Sequence, residues 1–103
     1  MRNRLKSLED HDVSETDKVK VLNFCANANE SERQLIKTAL SELQPYISYY
    51  VYRSLTENMS YDAICKQDYI YMGCGDFYAY RRQGIGAIKR WMIWYGLWDT
   101  TDN

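Results

Sequence analysis

Apolar residues recur along most of this chain at steps of three and four, the spacing that lines one side of an α-helix. The clearest stripe is Leu35, Ile36, Ala39, Leu40 and Leu43, with Glu32, Arg33, Lys37, Ser41 and Glu42 on the other side. The run Ser31-Glu-Arg-Gln34 ahead of it reads as a capping box, in which a side chain accepts from an amide of the first turn and a residue there bonds back. Pro45 ends this helix and can open the next, since the first helical position needs no amide hydrogen. Ile47, Val51 and Leu55 lie four apart and predict a helix over 46–55, although its tyrosines and β-branched residues would also suit a strand. Earlier, Ser14-Glu-Thr-Asp17 is another capping box; it opens a first helix to about Ala26 or Ala28, with Val21, Leu22, Phe24 and Cys25 facing inward. Asn27 and Asn29 mark the break after it, and Asn58 stands where a C-terminal cap is expected. Ser60 caps a short helix to Lys66, with Ala63 and Ile64 inward. Residues 67–75 carry no stripe, and Ile70 and Met72 are expected to plug the core there.

Asp76 is expected to cap a last helix, from 77 to about 95. Phe77, Tyr80, Arg81, Gly84, Ile88, Trp91 and Tyr95 fall along one line, and Ala79, Arg82, Gln83, Gly86, Lys89 and Arg90 along the opposite one. Gly84 and Gly86 each cost roughly 1 kcal/mol in a helix interior; they either kink the helix or let a neighbour approach closely.

The pattern predicts an all-α protein, a compact bundle of four to five helices. The 103 residues fit one domain. Residues 14–98 form it, residues 1–13 are a mobile or loosely docked arm, and 99–103 a polar tail. Apolar residues at 46% exclude a disordered chain. No run approaches the roughly 20 apolar residues that cross a bilayer, and the basic N-terminus lacks the apolar segment of a secretory signal. A cytoplasmic protein without a membrane partner is the expectation. Cys25, Cys65 and Cys74 form no CxxC pair and read as reduced thiols packed as small apolar groups. His11 stands alone, without the ligand spacing of a metal site. No nucleophile and base come together, and Glu9/Asp10 and Glu30/Glu32 sit on polar helix ends where acids favour the dipole. Gly73-Cys-Gly75 before a helix resembles an anion-binding helix start but lacks the Lys and Ser/Thr of a P-loop. Neither an enzyme nor a cofactor is expected.

Net charge is −1, yet it is unevenly spread. Residues 1–76 hold nine basic and twelve acidic residues, whereas 77–98 hold Arg81, Arg82, Lys89 and Arg90 with no acid. A short helix, a turn and a basic helix over about 60–95 follow the order of a helix-turn-helix, whose second helix enters the major groove. Tyr78, Ala79, Arg82 and Gln83 would face outward, with Arg81 at the edge. Arg82 can pair with guanine and Gln83 with adenine, while Lys89 and Arg90 would meet phosphates. Double-stranded DNA is then the partner. The same charges equally suit an ordinary solvated face.

The segment LSELQPYISYYVYRSLTENMSYDAIC resembles the opening of region 4 of sigma-70-type factors and of small phage late-transcription regulators of Gram-positive bacteria that share its fold. Leu43, Pro45, Tyr52, Arg53, Leu55, Ser60, Tyr61 and Ile64 occupy the pattern's places, and FYAYRRQGIGAIKRW is similar to its recognition helix with a basic tail. The turn from Ile64 to Phe77 is longer than in that pattern, and the two glycines depart from it. The resemblance implies a DNA-binding transcriptional regulator of phage or mobile-element type, touching RNA polymerase and using no cofactor. A homodimer is a further expectation, because one short helix rarely delivers enough affinity alone.

The C-terminal WMIWYGLW stretch places too many large apolar groups for one helix face. Part of it either closes the core over the N-terminal helices or forms a dimer or partner interface through Trp91, Trp94, Tyr95 and Trp98, residue types enriched at binding hot spots. Insertion into a membrane surface is disfavoured by Asp99 and Asp102. The rival reading of function is therefore a small phage-type modulator or inhibitor that captures a host protein.

Overall fold

The computed structural model describes residue 11 and residues 13–98. Among these there is no strand, and the chain forms a compact all-α bundle of five helices. They are α1 (Glu15–Ala26), α2 (Glu30–Ala39), α3 (Pro45–Thr56), α4 (Tyr61–Cys65) and α5 (Cys74–Trp94), with a 3-10 turn, Leu40–Glu42, after α2. The expected arm and tail lie outside the described residues except at His11 and Val13. Val13 is buried in the core.

Local chemistry accounts for most helix ends. Ser14 and Asp17 form the capping box of α1: the Asp17 amide donates to Ser14 Oγ at 3.0 Å and the Ser14 amide donates to Asp17 Oδ2 at 3.2 Å. Pro45 is the first residue of α3, and Ser60 caps α4 by accepting from the Ala63 amide. Asn58, at φ 54°, takes the left-handed position that closes α3, and the Met59 amide then reaches the Ser54 carbonyl.

Two starts differ from the sequence expectation. Asn29, not Ser31, caps α2, with Glu32 bonding back to its amide at 2.9 Å. Asn29 and Ser31 each have an acceptor three residues on, and the charged carboxylate of Glu32 is the stronger one. The last helix begins at Cys74 behind Gly73, so Asp76 lies inside its first turn, where its carboxylate favours the dipole.

The larger difference concerns what surrounds α5. This helix, roughly 30 Å long, packs against α1, α2, the 3-10 turn, α3 and α4. Gly84, Ile85, Gly86, Ala87 and Ile88 are all buried. Five consecutive residues at 100° each sweep more than a full turn, so the helix is enclosed on every side there. Ala79, expected to face outward, is fully buried. The glycines serve close approach within an uninterrupted helix: a Cβ on Gly84 would stand 2.7 Å from Leu40 Cδ2, and one on Gly86 would stand 3.0 Å from His11 Cβ. Around α5 the core collects Val21 and Cys25 of α1, Ile36 and Ala39 of α2, Ile47, Val51 and Leu55 of α3, Ile64 of α4 and the loop residue Ile70.

Candidate interaction surfaces

The six residues expected to meet DNA are placed by α5 against different neighbours. Arg81 is half-buried; its Nε donates to Ser54 Oγ at 2.9 Å, and Ser54 Oγ in turn donates to the Met59 carbonyl at 2.7 Å. Burial holds the Arg81 guanidinium below the usual arginine range. Tyr78 is half-buried, its hydroxyl accepting from the Tyr61 amide at 3.0 Å. Gln83 and Arg90 converge on one acid, Glu42 of the 3-10 turn, at 3.0 and 2.9 Å. Lys89 points to another side, where its Nζ lies 2.9 Å from Asp17 Oδ2 of α1. Arg82 is half-buried. The basic segment is thus spread around the helix, and Lys89 and Arg90 are ion-paired with the acidic body. Segregation of charge along the chain has become pairing of charge in space.

The C-terminal cluster divides in two. Met92 is buried, and Trp98 packs against the core with the ammonium groups of Lys20 and Lys89 at 5.2 and 5.5 Å from its ring. Gly96, at φ 74°, makes this possible: its left-handed turn ends α5, and the Leu97 amide bonds back to the Met92 carbonyl at 2.8 Å. The remaining aromatics face water. Trp94 is 81% exposed and Tyr95 58%, with Ile93 and Leu97 about half exposed beside them in sequence. Trp91 and Tyr95 stack at 5.6 Å with ring planes 20° apart. They form the wall between two grooves, one lined by Arg90, Trp91, Trp94 and Tyr95, the other by Ser31, Gln34, Leu35 and Thr38 of α2. Three of the four expected interface residues, Trp91, Trp94 and Tyr95, therefore share one surface. Trp98 is turned away from it.

A second aromatic surface was not anticipated. Tyr46, Tyr49 and Tyr50 of α3 meet Tyr69 and Tyr71 of the α4–α5 loop, in a run of ring contacts between 4.6 and 6.0 Å. The Tyr71 amide donates to the Tyr46 hydroxyl, and the Tyr50 hydroxyl donates to Asp68 Oδ2 at 2.6 Å. That bond to Asp68, with burial next, pushes the Tyr50 phenol up to about 12. The sequence signal was half present, since 46, 49 and 50 share a helix face. The other half depends on how the loop folds back.

No His/Cys/Asp/Glu group suited to a metal ion occurs among the described residues, and no described helix is long and apolar enough to cross a membrane. No family model, curated protein or solved structure matches the chain. The resemblance to sigma-factor region 4 accordingly stands on its motif residues alone.

Proposed function

We propose that this protein is a binding module for another protein, engaged through the aromatic end of α5. The exposure of Trp94 beside the stacked Trp91–Tyr95 pair carries the reading. At 81% exposed, Trp94 reaches further into water than any other large apolar residue described, and it does so on the end of the most enclosed helix. Two rings of this surface, Trp91 and Tyr95, are already stacked on each other before binding, which lessens the ordering entropy that opposes association. Tryptophan and tyrosine dominate binding hot spots because they offer large contact area with few rotatable bonds.

The DNA reading, with α5 as recognition helix, draws on Arg81, Arg82, Gln83, Lys89 and Arg90. Engaging DNA through these side chains requires the contacts to Ser54, Glu42 and Asp17 to open, and the enclosed middle of α5 would not reach a groove without unpacking. The protein-binding reading leaves every one of those contacts in place.

Site-directed photo-cross-linking in the native host separates the two. A benzophenone side chain at position 94 should give protein adducts, a second copy of this chain included. The same group at position 82 should give none, and at exposed Lys66 only background. Position 94 indistinguishable from Lys66, with position 82 joined to DNA, would sink the proposal.

A further inference from the structure

We infer that Cys65 and Cys74 form an oxidisable pair, closing a disulfide that staples α4 to α5 across the loop between them. Three observations bring the two thiols together. The Tyr61 amide, at the start of α4, meets the Tyr78 hydroxyl at 3.0 Å. Cys65 lies one turn after Tyr61, and Cys74 one turn before Tyr78. The Tyr61 ring also packs on Phe77 with centroids 5.5 Å apart, so the face of α4 that carries positions 61 and 65 lies against the first turn of α5, where Cys74 stands. The Tyr61 side chain marks the same spot, since its hydroxyl donates to the Met72 carbonyl at 2.6 Å, two residues from Cys74. Partial burial raises the Tyr61 phenol above its usual range, and the nearby Cys65 and Cys74 thiols add to this.

Both thiols are exposed, while the third cysteine is built differently. Cys25 is fully enclosed in the core, and burial pushes its thiol up to about 12, which leaves almost no thiolate at neutral pH. The fold therefore separates one inert thiol from two accessible ones.

A hydroperoxide is the oxidant class that suits exposed thiols. One thiolate attacks the peroxide oxygen and becomes a sulfenic acid, releasing water from hydrogen peroxide or an alcohol from an organic hydroperoxide. The second sulfur then displaces hydroxide from the sulfenic sulfur, the S–S bond forms, and another water leaves. The pair loses two protons and two electrons, and those electrons reduce the O–O bond. The resulting ring, residues 65–74, holds Ile70 in the core and carries Tyr69 and Tyr71 of the tyrosine surface. Oxidation would fix the segment that positions those two rings. This inference is independent of the partner-binding reading.

Stoichiometric hydrogen peroxide on the purified full chain tests it. Intact mass should fall by roughly 2 Da, the loss of two hydrogens. Trypsin should release peptide 54–66 joined to 67–81, a link broken by reductant. An alkylating reagent should then modify Cys25 only after denaturation. The melting temperature of the oxidised form should rise by about 10–15 °C, because a short loop is closed in the unfolded chain. Cys65→Ser and Cys74→Ser, both surface changes, should each abolish the link and the shift. Cys65 or Cys74 oxidised singly to sulfinic acid, or linked between molecules, without the 54–66/67–81 adduct, would overturn the inference.

Discussion

Gly84→Ala sets two opposed effects against each other at one atom. Alanine is favoured over glycine in a helix interior by about 1 kcal/mol, so on an open helix the change stabilises. At position 84 the added methyl would stand 2.7 Å from Leu40 Cδ2 and 3.1 Å from Val51 Cγ1. Leu40 and Val51 are both fully buried, and Val51 is β-branched and stiff at χ1, so neither has empty space to move into. Overpacking a tight core costs about 1–3 kcal/mol. The balance is a net loss of up to about 2 kcal/mol, or a melting temperature lower by up to about 12 °C for a domain of this size. Gly75→Ala provides the control. It lies in the first turn of the same helix with nothing within 4 Å of its Cβ position. That variant should be as stable as the parent or more so, by up to about 1 kcal/mol. Urea unfolding followed by circular dichroism reads both. If Gly84→Ala moves with Gly75→Ala, α5 is not pressed against the 3-10 turn and α3 as described, and the enclosed helix is not there.

Two further variants test local devices. Asn58 occupies a left-handed position, so Asn58→Ala should cost about 1 kcal/mol in thermal or urea unfolding, whereas Asn58→Gly should be neutral or stabilising; equal effects would mean the turn is not left-handed. The Lys89 ammonium that hydrogen-bonds Asp17 holds its carboxyl below the usual carboxylate range, with Ser14 assisting against a desolvation penalty. A depressed folded-state pKa contributes stability above the unfolded carboxylate pKa and loses it as pH falls through the folded value. Asp17→Asn should therefore cost about 1 kcal/mol at pH 7 and flatten the acid limb of the stability profile below about pH 4. An unchanged acid limb in that variant would assign the pH dependence elsewhere.

Signals that act within one turn were legible in the sequence. Ser14, Pro45, Asn58 and Ser60 end or begin helices where their own chemistry places them, and Ile47, Val51 and Leu55 are buried as their spacing implies. The surroundings of α5 were not legible. An amphipathic template assumes one wet side, and Ala79 and Gly86, lying beside Arg82, Gln83, Lys89 and Arg90, are small enough to look like part of it. Their small size instead lets neighbours close in from every direction. Charge pairing was hidden for a different reason. Lys89 meets an acid 72 residues away and Arg90 one 48 residues away, so nothing local announces either partner. The aromatic surface at the C-terminus fell between these cases. Its residue types singled it out, but only the turn at Gly96 decides that Trp98 leaves the surface and Trp94 stays on it.

The ion pairs also set how strongly the basic residues of α5 could act on a polyanion. Arg90 and Glu42 are both substantially exposed, and an exposed pair of this kind holds by no more than about 1 kcal/mol, so Arg90 can be redirected at little cost. Lys89 is different. Its side chain is largely covered, pairs with Asp17 and lies over the ring of Trp98, so freeing it disturbs the cap of α1 and the closing turn of α5 together. Arg81 is tied into the end of α3 through Ser54. Four phosphate contacts by these cations would give a log–log salt slope near −4. With Arg81 and Lys89 committed to the fold, at most two of the four cations can turn to phosphates, and the slope falls to about −2 or shallower, with an affinity typical of weak, sequence-independent attraction. A mobility-shift titration on duplex DNA at several salt concentrations should therefore give that shallow slope and no dependence on Gln83. A slope near −4 that shrinks in Lys89→Ala, in a protein whose unfolding curve is otherwise intact, would mean that these pairs open readily and would return α5 to the role of a DNA-reading helix.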